Sequence, residues 1–500
     1  MTFPRGKAMT TLAALIAVAS AFAAIVFWPR SHDTTAPLVL RLESFAIRLD
    51  PAFIADTQSR RIVDLLHAKL IRSEPGTDFT GEIARGWNWI TPTTLRLELR
   101  DGLTFSDGRP LTSVDAVWSI CRLLQPGAPY GWLFANVLHS PGQDGQPTEC
   151  PGLRSRGPLA FEIEVTDDPS RLLPALSTTS ASIVPAHSSP GYYGQVPGAG
   201  PYVVEQILAG SRVILRARSG GALEPKVERV TFQLIQDDST AANLFRAGRL
   251  DVLEISNPTL YRLLVDASGR MVVPGRLVSS EVHQVRLAII NRASIALTLG
   301  ITADQAAEWV EALRASVDVD AIAQRFSPLL IPMQTSFFPA RDLVERRRPT
   351  VSVPALRGRL NIITENDPFS DAIASMLARP VGGVELAYTG LEKSVLISRL
   401  INRQYDIASI SLEAVADHPA YWLSFFTPGS SFTLFGAALQ DLDTSRTPDA
   451  ARHNAAIIDQ NGNWLMLARE RRYVALQPRI KGETFFATGL INYANLGVAP

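Results

Sequence analysis

The sequence has few cysteines, no excess of charge of either sign and no long acidic or basic run. Its 500 residues contain two Cys, and 48 basic residues balance 48 acidic ones. A surface that binds nucleic acid needs an excess of positive charge to displace counterions, so this balance argues against a nucleic-acid partner. Two Cys cannot form a zinc site alone, and no His lies at ligand spacing from them, so we expect no metal and no cofactor.

Motifs of known catalytic sites are also absent from the chain. It has no G-x-S-x-G elbow, no P-loop, no H-E-x-x-H and no Rossmann G-x-G-x-x-G. Gly198-Ala199-Gly200 offers a short G-x-G, but Pro201 follows it, which favours a turn leading into a strand over a phosphate-binding helix entry. We therefore predict a binding protein and not an enzyme.

The N-terminus carries the first specific signal. Arg5 and Lys7 precede an apolar run from Leu12 to Trp28, a pattern typical of an export signal. The run approaches the roughly 17–25 residues of a membrane span, so residues 10–28 fit an uncleaved inner-membrane anchor. Two Ala-x-Ala sequences inside the run also fit cleavage, and both alternatives stay open. In either case we predict a periplasmic or other extracytoplasmic location.

The two cysteines, Cys121 and Cys150, are expected to form a disulfide bond, because an exported chain folds in an oxidising compartment. Thr112 and Asp115 have the spacing of a capping box and predict the start of a helix. Apolar residues at helical spacing continue to Leu124, which places Cys121 on the apolar face of that helix and Cys150 in the loop region after it. Two unpaired thiols remain the alternative.

Strand patterns dominate the first half of the chain. The segment Leu95–Arg100 alternates strictly between apolar and charged residues, as a half-buried strand does, and Asp101-Gly102 then predicts a tight turn. A second strand-rich stretch runs from Gly200 to Val252. Within it, Ser239 is predicted to cap a helix that Gly248 ends.

The second half of the chain alternates between strands and helices. This alternation predicts a parallel sheet with crossover helices, and therefore two α/β lobes, one centred before residue 290 and one after it. A cleft between the lobes is the expected ligand site. The predicted strands are Leu360–Thr364, Val384–Tyr388 and Tyr405–Ser409, and the helices between them run from Asp367-Pro368 to Leu377 and from Glu392 to Ile401.

Five stretches resemble, in order, the bacterial extracellular solute-binding proteins of family 5, the oligopeptide- and dipeptide-binding proteins of ABC importers. They are Leu49–Ile71, Leu99–Ser119, Gly198–Tyr202 with Val227–Val252, Val310–Ile322, and Gln477–Gly482 with Gly489–Leu496. The resemblance covers nearly everything from residue 38 to 500. It implies an α/β, two-lobed periplasmic-binding-protein-like fold of the class II type, with mixed sheets, an extra inserted subdomain and a ligand cleft between the lobes.

The resemblance also implies a domain organisation in which the chain crosses between the lobes twice. The predicted segments are 1–30 (signal peptide or signal anchor), 31–37 (linker), 38–58 (lobe I, first segment), 59–189 (lobe II-like insertion), 190–290 (lobe I, second segment), 291–470 (lobe III) and 471–500 (return to lobe I).

Ligand contacts are implied by the same resemblance. Family members often place Gly-Trp shortly before an Asp that pairs with the ligand's α-ammonium group. Asp417 matches this Asp, with His418 beside it, but Gly-Trp is missing and the spacing is longer. The family also implies Asp56, Thr57 and Tyr130 on the cleft. The alternatives are that Asp417 caps a following helix and that Thr57 and Tyr130 only pack between lobes.

The function implied by the resemblance is capture of a short peptide between the lobes and delivery to the permease subunits of an ABC importer. The protein would be a monomer that meets the membrane through its N-terminal segment. Because the ammonium site is altered, a non-peptide solute such as a metal chelate, a sugar or an opine is an alternative. A membrane-tethered sensor or assembly protein that uses the same fold is another.

Overall fold

The computed structural model describes residues 37–45, 47–54, 56–73, 79–125, 128–140, 149–167, 169–188, 196–255, 257–332, 355–413, 423, 439, 441–443, 447–461, 463–486 and 488–499. The predicted N-terminal segment 10–28 and the predicted ligand residues Asp417 and His418 lie outside these ranges. Among the helices in the described part of the chain, none has the length and apolarity to cross a membrane.

The strands in the described ranges are numbered in chain order. They are β1 Leu38–Leu42, β2 Ile71–Ser73, β3 Phe79–Gly81, β4 Ala84–Thr91, β5 Thr94–Leu99, β6 Leu153–Ser155, β7 Ala160–Glu164, β8 Tyr202–Leu208, β9 Arg212–Ala217, β10 Arg229–Leu234, β11 Val252–Ile255, β12 Arg276–Ile290, β13 Leu330–Pro332, β14 Gly358–Glu365, β15 Val384–Leu391, β16 Ile407–Glu413, β17 Trp464–Leu476, β18 Ile480–Lys481 and β19 Gly497–Val498.

The helices are numbered in the same way. They are α1 Thr57–Leu66, α2 Ser113–Leu123, α3 Leu172–Leu176, α4 Asp238–Arg246, α5 Pro258–Leu264, α6 Arg292–Leu299, α7 Ala303–Ser316, α8 Val319–Arg325, α9 Pro368–Leu377, α10 Lys393–Ile401 and α11 Pro448–Asn461. Single 3-10 turns lie at Pro51–Phe53, Gly131–Phe134, Pro169–Arg171, Thr179–Ala181 and Tyr493–Asn495.

The largest sheet in the described residues has eleven strands, in the order β15-β14-β16-β12-β17-β11-β1-β10-β9-β8, with β13 added beside β17. We call the half that contains β1 and β8 to β11 the first lobe, and the half that contains β14 to β16 the second lobe. β14 pairs in parallel with both β15 and β16, and α9 and α10 connect these strands. This confirms the parallel sheet predicted from the strand–helix alternation.

The two lobes share the long antiparallel strands β12 and β17. The last residues of β17 pair with β11 of the first lobe, whereas the last residues of β12 pair with β16 of the second lobe. The register between β12 and β17 shifts between Glu281 and Val285, so a bulge lies where the sheet passes from one lobe to the other. The predicted segment boundaries at residues 58, 189, 290 and 470 stay a prediction.

The inserted subdomain consists of the four-stranded sheet β4-β5-β7-β6 and α2. The apolar residues of the predicted alternating segment, Leu95, Leu97 and Leu99, are all buried in β5. α2 begins at Ser113 with the predicted capping box of Thr112 and Asp115. A disulfide bond joins Cys121 near the end of α2 to Cys150, with Cα atoms 6.0 Å apart.

The predicted cap Ser239 is wrong. α4 begins at Asp238, and the carboxylate of Asp237 accepts a hydrogen bond from the backbone N of Thr240 at 2.7 Å. Asp caps a helix as well as Ser does, so the earlier Asp237 takes the position and Ser239 falls inside the first turn. Gly248 does follow the helix, with a φ of 66° that is easy only for glycine.

The G-x-G of the resemblance is explained by close backbone packing. A Cβ atom at Gly198 would lie 1.9 Å from the carbonyl oxygen of Leu66. The backbone N of Gly200 donates to that same carbonyl at 3.0 Å. Only glycine permits this approach to the end of α1, and β8 starts directly afterwards at Tyr202, as the turn-into-strand interpretation predicts.

Apolar clusters cover both faces of the large sheet. α7, α8 and α9 bury one face of the second lobe around Trp309. A separate cluster contains Leu97 and Phe161 of the inserted subdomain together with Leu287 and Ile410 of β12 and β16. The inserted subdomain therefore packs continuously with the opposite face of the second lobe.

Candidate functional site

The start of α1 uses the first of the predicted ligand residues as a helix cap. Asp56 has an extended backbone, and its carboxylate accepts hydrogen bonds from the backbone N of Ser59 at 2.8 Å and from its hydroxyl at 2.7 Å. This is the geometry of an N-cap. A contact between Asp56 and a ligand stays a prediction.

One turn further along α1, Arg60 forms an ion pair with Glu413, the last residue of β16. The hydroxyl of Thr57 donates to Glu413 at 3.3 Å, and Arg60 donates to the Thr57 oxygen at the same distance. The side chains of Arg60 and Glu413 are only 13% and 18% exposed. The predicted residue Thr57 therefore lies in a contact that joins α1 to the second lobe.

A second carboxylate extends this contact into the first lobe. Arg472 of β17 lies 3.8 Å from Glu413 and 3.6 Å from Glu254 of β11. Glu254 also binds Arg61 at 2.6 Å and accepts a hydrogen bond from the hydroxyl of Tyr493. We call the charged members of this set the hinge charge cluster: Arg60, Arg61, Glu254, Glu413 and Arg472.

The hinge charge cluster keeps its charges at neutral pH although it is buried. Burial raises the pKa of Glu413, but the positive charges of Arg60 and Arg472 outweigh it and hold that pKa below 4.5. Glu254 behaves in the same way: burial raises its pKa, and Arg61 and Arg472 lower it further than burial raises it. Pairing thus overcomes desolvation at both carboxylates.

Tyr130 faces the same charges from the inserted subdomain. The residue is half-buried and directly precedes the 3-10 turn Gly131–Phe134. Burial raises the pKa of its phenol, Arg60 lowers it, and the negative charges of Glu413 and Asp56 raise it. The structure therefore brings three predicted residues, Asp56, Thr57 and Tyr130, around one ion pair.

Sequence reasoning missed the members of the hinge charge cluster because they come from four distant segments of the chain. The sequence did contain one signal, the adjacent arginines Arg60-Arg61 in the segment that forms α1, beside the apolar residues Ile62 and Leu65 that the structure buries.

A small pocket of about 20 Å³ lies next to the cluster. Arg60, Arg61 and Glu254 of the cluster line it together with Phe486. No group of His, Cys, Asp or Glu in the described ranges could hold a metal ion.

The sequence profile described as "Bacterial extracellular solute-binding proteins, family 5 Middle" matches residues 78–342, which is more than half of the chain. The chain belongs to this family of solute-binding proteins. The resemblance drawn from the five sequence stretches is thereby confirmed.

Among curated relatives of this family 5 protein is the periplasmic murein peptide-binding protein MppA of Escherichia coli (strain K12). The two are 25% identical over 256 residues, which cover 48% of this chain and 47% of MppA. The matched region thus spans about half the length of that relative, and the matches to other curated relatives span less.

Solved structures share the fold over almost the whole family 5 chain. OppA of Haemophilus influenzae in complex with RPPGFSPFR gives a TM-score of 0.75 at 16% identity, covering 94% of this chain and 100% of that one. NikA of Brucella suis in complex with Fe(III)-EDTA gives 0.73 at 16% identity, with 93% and 100% covered. These matches confirm the predicted α/β, two-lobed periplasmic-binding-protein-like fold.

Proposed function

We propose that this protein captures a short peptide between its two lobes, outside the cytoplasm, and delivers it to the permease subunits of an ABC importer. The observation that carries the proposal is the family match over residues 78–342. Its family consists of extracellular solute-binding proteins, so the role is binding and not catalysis. The crystallised relative with a TM-score of 0.75 holds a peptide, which supports this ligand class.

The geometry supports a ligand position between α1 and β16. Arg60 lies on α1, whose Ile62 and Leu65 share one apolar cluster with β1 and β10 of the first lobe, whereas Glu413 ends β16 of the second lobe. Thr57 and Tyr130 lie beside this ion pair. Asp417 follows β16 by a few residues in the sequence. We therefore propose Asp56, Thr57, Tyr130, Asp417 and His418 as ligand contacts in a monomeric protein.

A second candidate is a metal chelate. The sequence after β16 lacks the Gly-Trp that peptide-binding members often carry before their ammonium-binding Asp. NikA, a structure with nearly the same TM-score, holds Fe(III)-EDTA. A cleft of this fold is therefore compatible with a non-peptide ligand.

Native mass spectrometry of the purified full chain tests the proposal. We expect bound species whose masses match short peptides, and a rise in melting temperature when tripeptides are added, because a ligand that binds only the folded state stabilises it. Fe(III)-EDTA and free sugars serve as matched non-peptide probes. Stabilisation by Fe(III)-EDTA with no response to any peptide would replace the proposal with the second candidate.

A further inference from the structure

A cavity of about 350 Å³ lies at the C-terminal end of α1. Leu66 and His67 from this end of the helix line it, together with residues of β8, β9 and the loop between β5 and α2. Arg60 lies near the other end of α1, about 10 Å from His67 along the helix axis at the usual rise per residue. The residues that line the cavity include no member of the hinge charge cluster, so the cavity is separate from the contact between the lobes.

The inner part of the cavity is apolar except for one side chain. Leu49, Leu66 and Val196 line it and are buried. His67 lies among them and is only 2% exposed, and neither of its ring nitrogens has a hydrogen-bond partner in the described ranges. Buried polar groups are nearly always hydrogen-bonded. An imidazole left without a partner at the wall of a cavity therefore points to a ligand group that hydrogen-bonds to it.

The imidazole of His67 is neutral at pH 7. Burial lowers its pKa to about 4, and the nearby Asp50 carboxylate, the Leu49 backbone and Asp64 raise the pKa without overcoming burial. Arg122 lowers the pKa further. A neutral imidazole has one N–H donor and one acceptor nitrogen. It is thus suited to a hydroxyl group, which can donate or accept, more than to a charged group.

The mouth of the cavity carries positive charge. Arg216 of β9 is exposed, Arg218 just after this strand is half-buried, and both line the cavity. Arg216 donates to the carbonyl of Ala217, and Arg218 donates to three backbone carbonyls and one hydroxyl, those of Gly200, Thr104 and Phe105. Neither guanidinium group is thus neutralised by a carboxylate in these contacts.

The acidic residues near this mouth are bound to other arginines. Asp107, which also lines the cavity, accepts a hydrogen bond from the side chain of Arg109 at 3.0 Å. Glu205 of β8 binds Arg229 at 2.9 Å. The mouth therefore keeps an excess of positive charge, while the inner part offers one uncharged hydrogen-bonding group.

We infer that this cavity is a second ligand site, for a small organic acid with an apolar body and a hydroxyl group at the end opposite its carboxylate. The carboxylate binds Arg216 and Arg218 at the mouth. The apolar body packs on Leu66 and Val196, and the hydroxyl group meets His67. A cavity of about 350 Å³ has the size of a small-molecule site. The inference is independent of the ligand that the cleft between the lobes binds.

Isothermal titration calorimetry of the full chain with para-hydroxyphenylacetate tests the inference. Two matched probes each lack one of its groups: phenylacetate lacks the hydroxyl group, and para-hydroxyphenylethanol lacks the carboxylate. We expect para-hydroxyphenylacetate to bind at one site per chain. The affinity should be at least about fivefold lower for phenylacetate and at least about tenfold lower for para-hydroxyphenylethanol, since a hydrogen bond to a charged group contributes more than a neutral one.

Variants assign the binding to this cavity. Arg216→Gln should weaken the binding of both acids and leave that of para-hydroxyphenylethanol unchanged. His67→Leu should weaken the binding of both probes that carry the phenolic hydroxyl and leave that of phenylacetate unchanged. Arg212→Gln is the matched control, because Arg212 is an exposed arginine of the same strand that does not line the cavity, and it should bind all three probes as the wild type does.

Melting temperatures of the unliganded variants identify any that fail to fold, and the comparison of the three probes on the wild type needs no variant. No binding of para-hydroxyphenylacetate at millimolar concentration would overturn the inference. Equal affinities for the three probes would also overturn it, as would binding that folded Arg216→Gln and His67→Leu variants both leave unchanged.

Discussion

The guanidinium group of Arg479 donates two hydrogen bonds, of 2.9 and 2.7 Å, to the carboxylate of Asp251, which is completely buried. The same carboxylate accepts the backbone N of Val39 at 2.7 Å, and Arg479 also donates to the carbonyl of Pro37 at 3.2 Å. One ion pair therefore fixes the start of β1 to the segment after β17, so that the first and last parts of the described chain meet in the first lobe.

Asp251→Asn should lower the free energy of unfolding by about 3–5 kcal/mol, because it leaves Arg479 without its buried counter-charge. Urea denaturation followed by circular dichroism measures this change. Glu205→Gln, which breaks the solvent-exposed pair with Arg229, is the matched control and should leave the midpoint unchanged. Equal midpoints for both variants would show that the buried Asp251–Arg479 pair contributes no more to stability than the exposed Glu205–Arg229 pair.

His67 should make the free energy of unfolding depend on pH in the mildly acidic range. Burial lowers its pKa from 6.5 to about 4, against the opposing effect of Asp50. Between these values the unfolded chain binds a proton that the folded chain does not, so stability falls as pH drops from 6.5 towards 4, by roughly 3 kcal/mol in total. His67→Phe should flatten the unfolding free energy over this interval.

A matched control for this pH effect is His453→Gln, because the ring of His453 is exposed. Its curve of stability against pH should follow the wild-type curve. Below pH 4.5 we expect a second loss of stability in the wild type and in both His variants. The pKa values of Glu413 and Glu254 are lowered in the folded state, so their ion pairs stabilise it only while both carboxylates are ionised. A wild-type free energy of unfolding that stays constant from pH 6.5 to 4 would contradict the lowered pKa of His67.

The elements that could be predicted from the sequence are those fixed by local patterns. Asp367 caps α9 and Pro368 is its first residue because both signals lie within one turn, and the helix ends at Leu377 as predicted. The alternation in β5 is visible within six residues. The cap was wrongly predicted at Ser239 because Asp237, two positions earlier, is an equally good capping residue, and only the backbone conformation decides between them.

The candidate site was only partly predictable, for a different physical reason. Thr57 and Tyr130 were placed near the cleft through family resemblance, and the structure puts them beside one ion pair. Arg60 and Glu413 are separated by more than three hundred residues, and no periodic pattern reports that two charges will meet across lobes. A buried ion pair depends on tertiary packing, which a single sequence does not display.

Thiol labelling should find no reactive Cys under denaturing, non-reducing conditions. The bond between Cys121 and Cys150 closes a loop with a sequence separation of 29. In the chain-entropy account, such a crosslink contributes about 3–4 kcal/mol, and Cys150→Ser should lose that amount. Labelling of both Cys in the exported wild-type protein would contradict the bond.

An alkaline phosphatase fusion after residue 40 should be active in a bacterial host, because we propose that the body is exported, with Arg5 and Lys7 retained in the cytoplasm if the N-terminal segment is uncut. Mass measurement of the mature N-terminus then distinguishes cleavage from an anchor at residues 10–28. Replacing both basic residues with Glu is the control and should reduce phosphatase activity. A soluble cytoplasmic protein that keeps Met1 would refute this location.

The strands that both lobes share limit how the molecule can move. Since β12 and β17 run through the large sheet without a break in the chain, the lobes cannot slide past each other without rupturing main-chain hydrogen bonds in shear. Bending at the bulge between Glu281 and Val285 ruptures fewer of them. The pairing of β12 with β17 is irregular at two places, between Glu281 and Val285 and between Arg286 and Leu287. We expect the lobes to rotate relative to each other by bending of the two strands at these places.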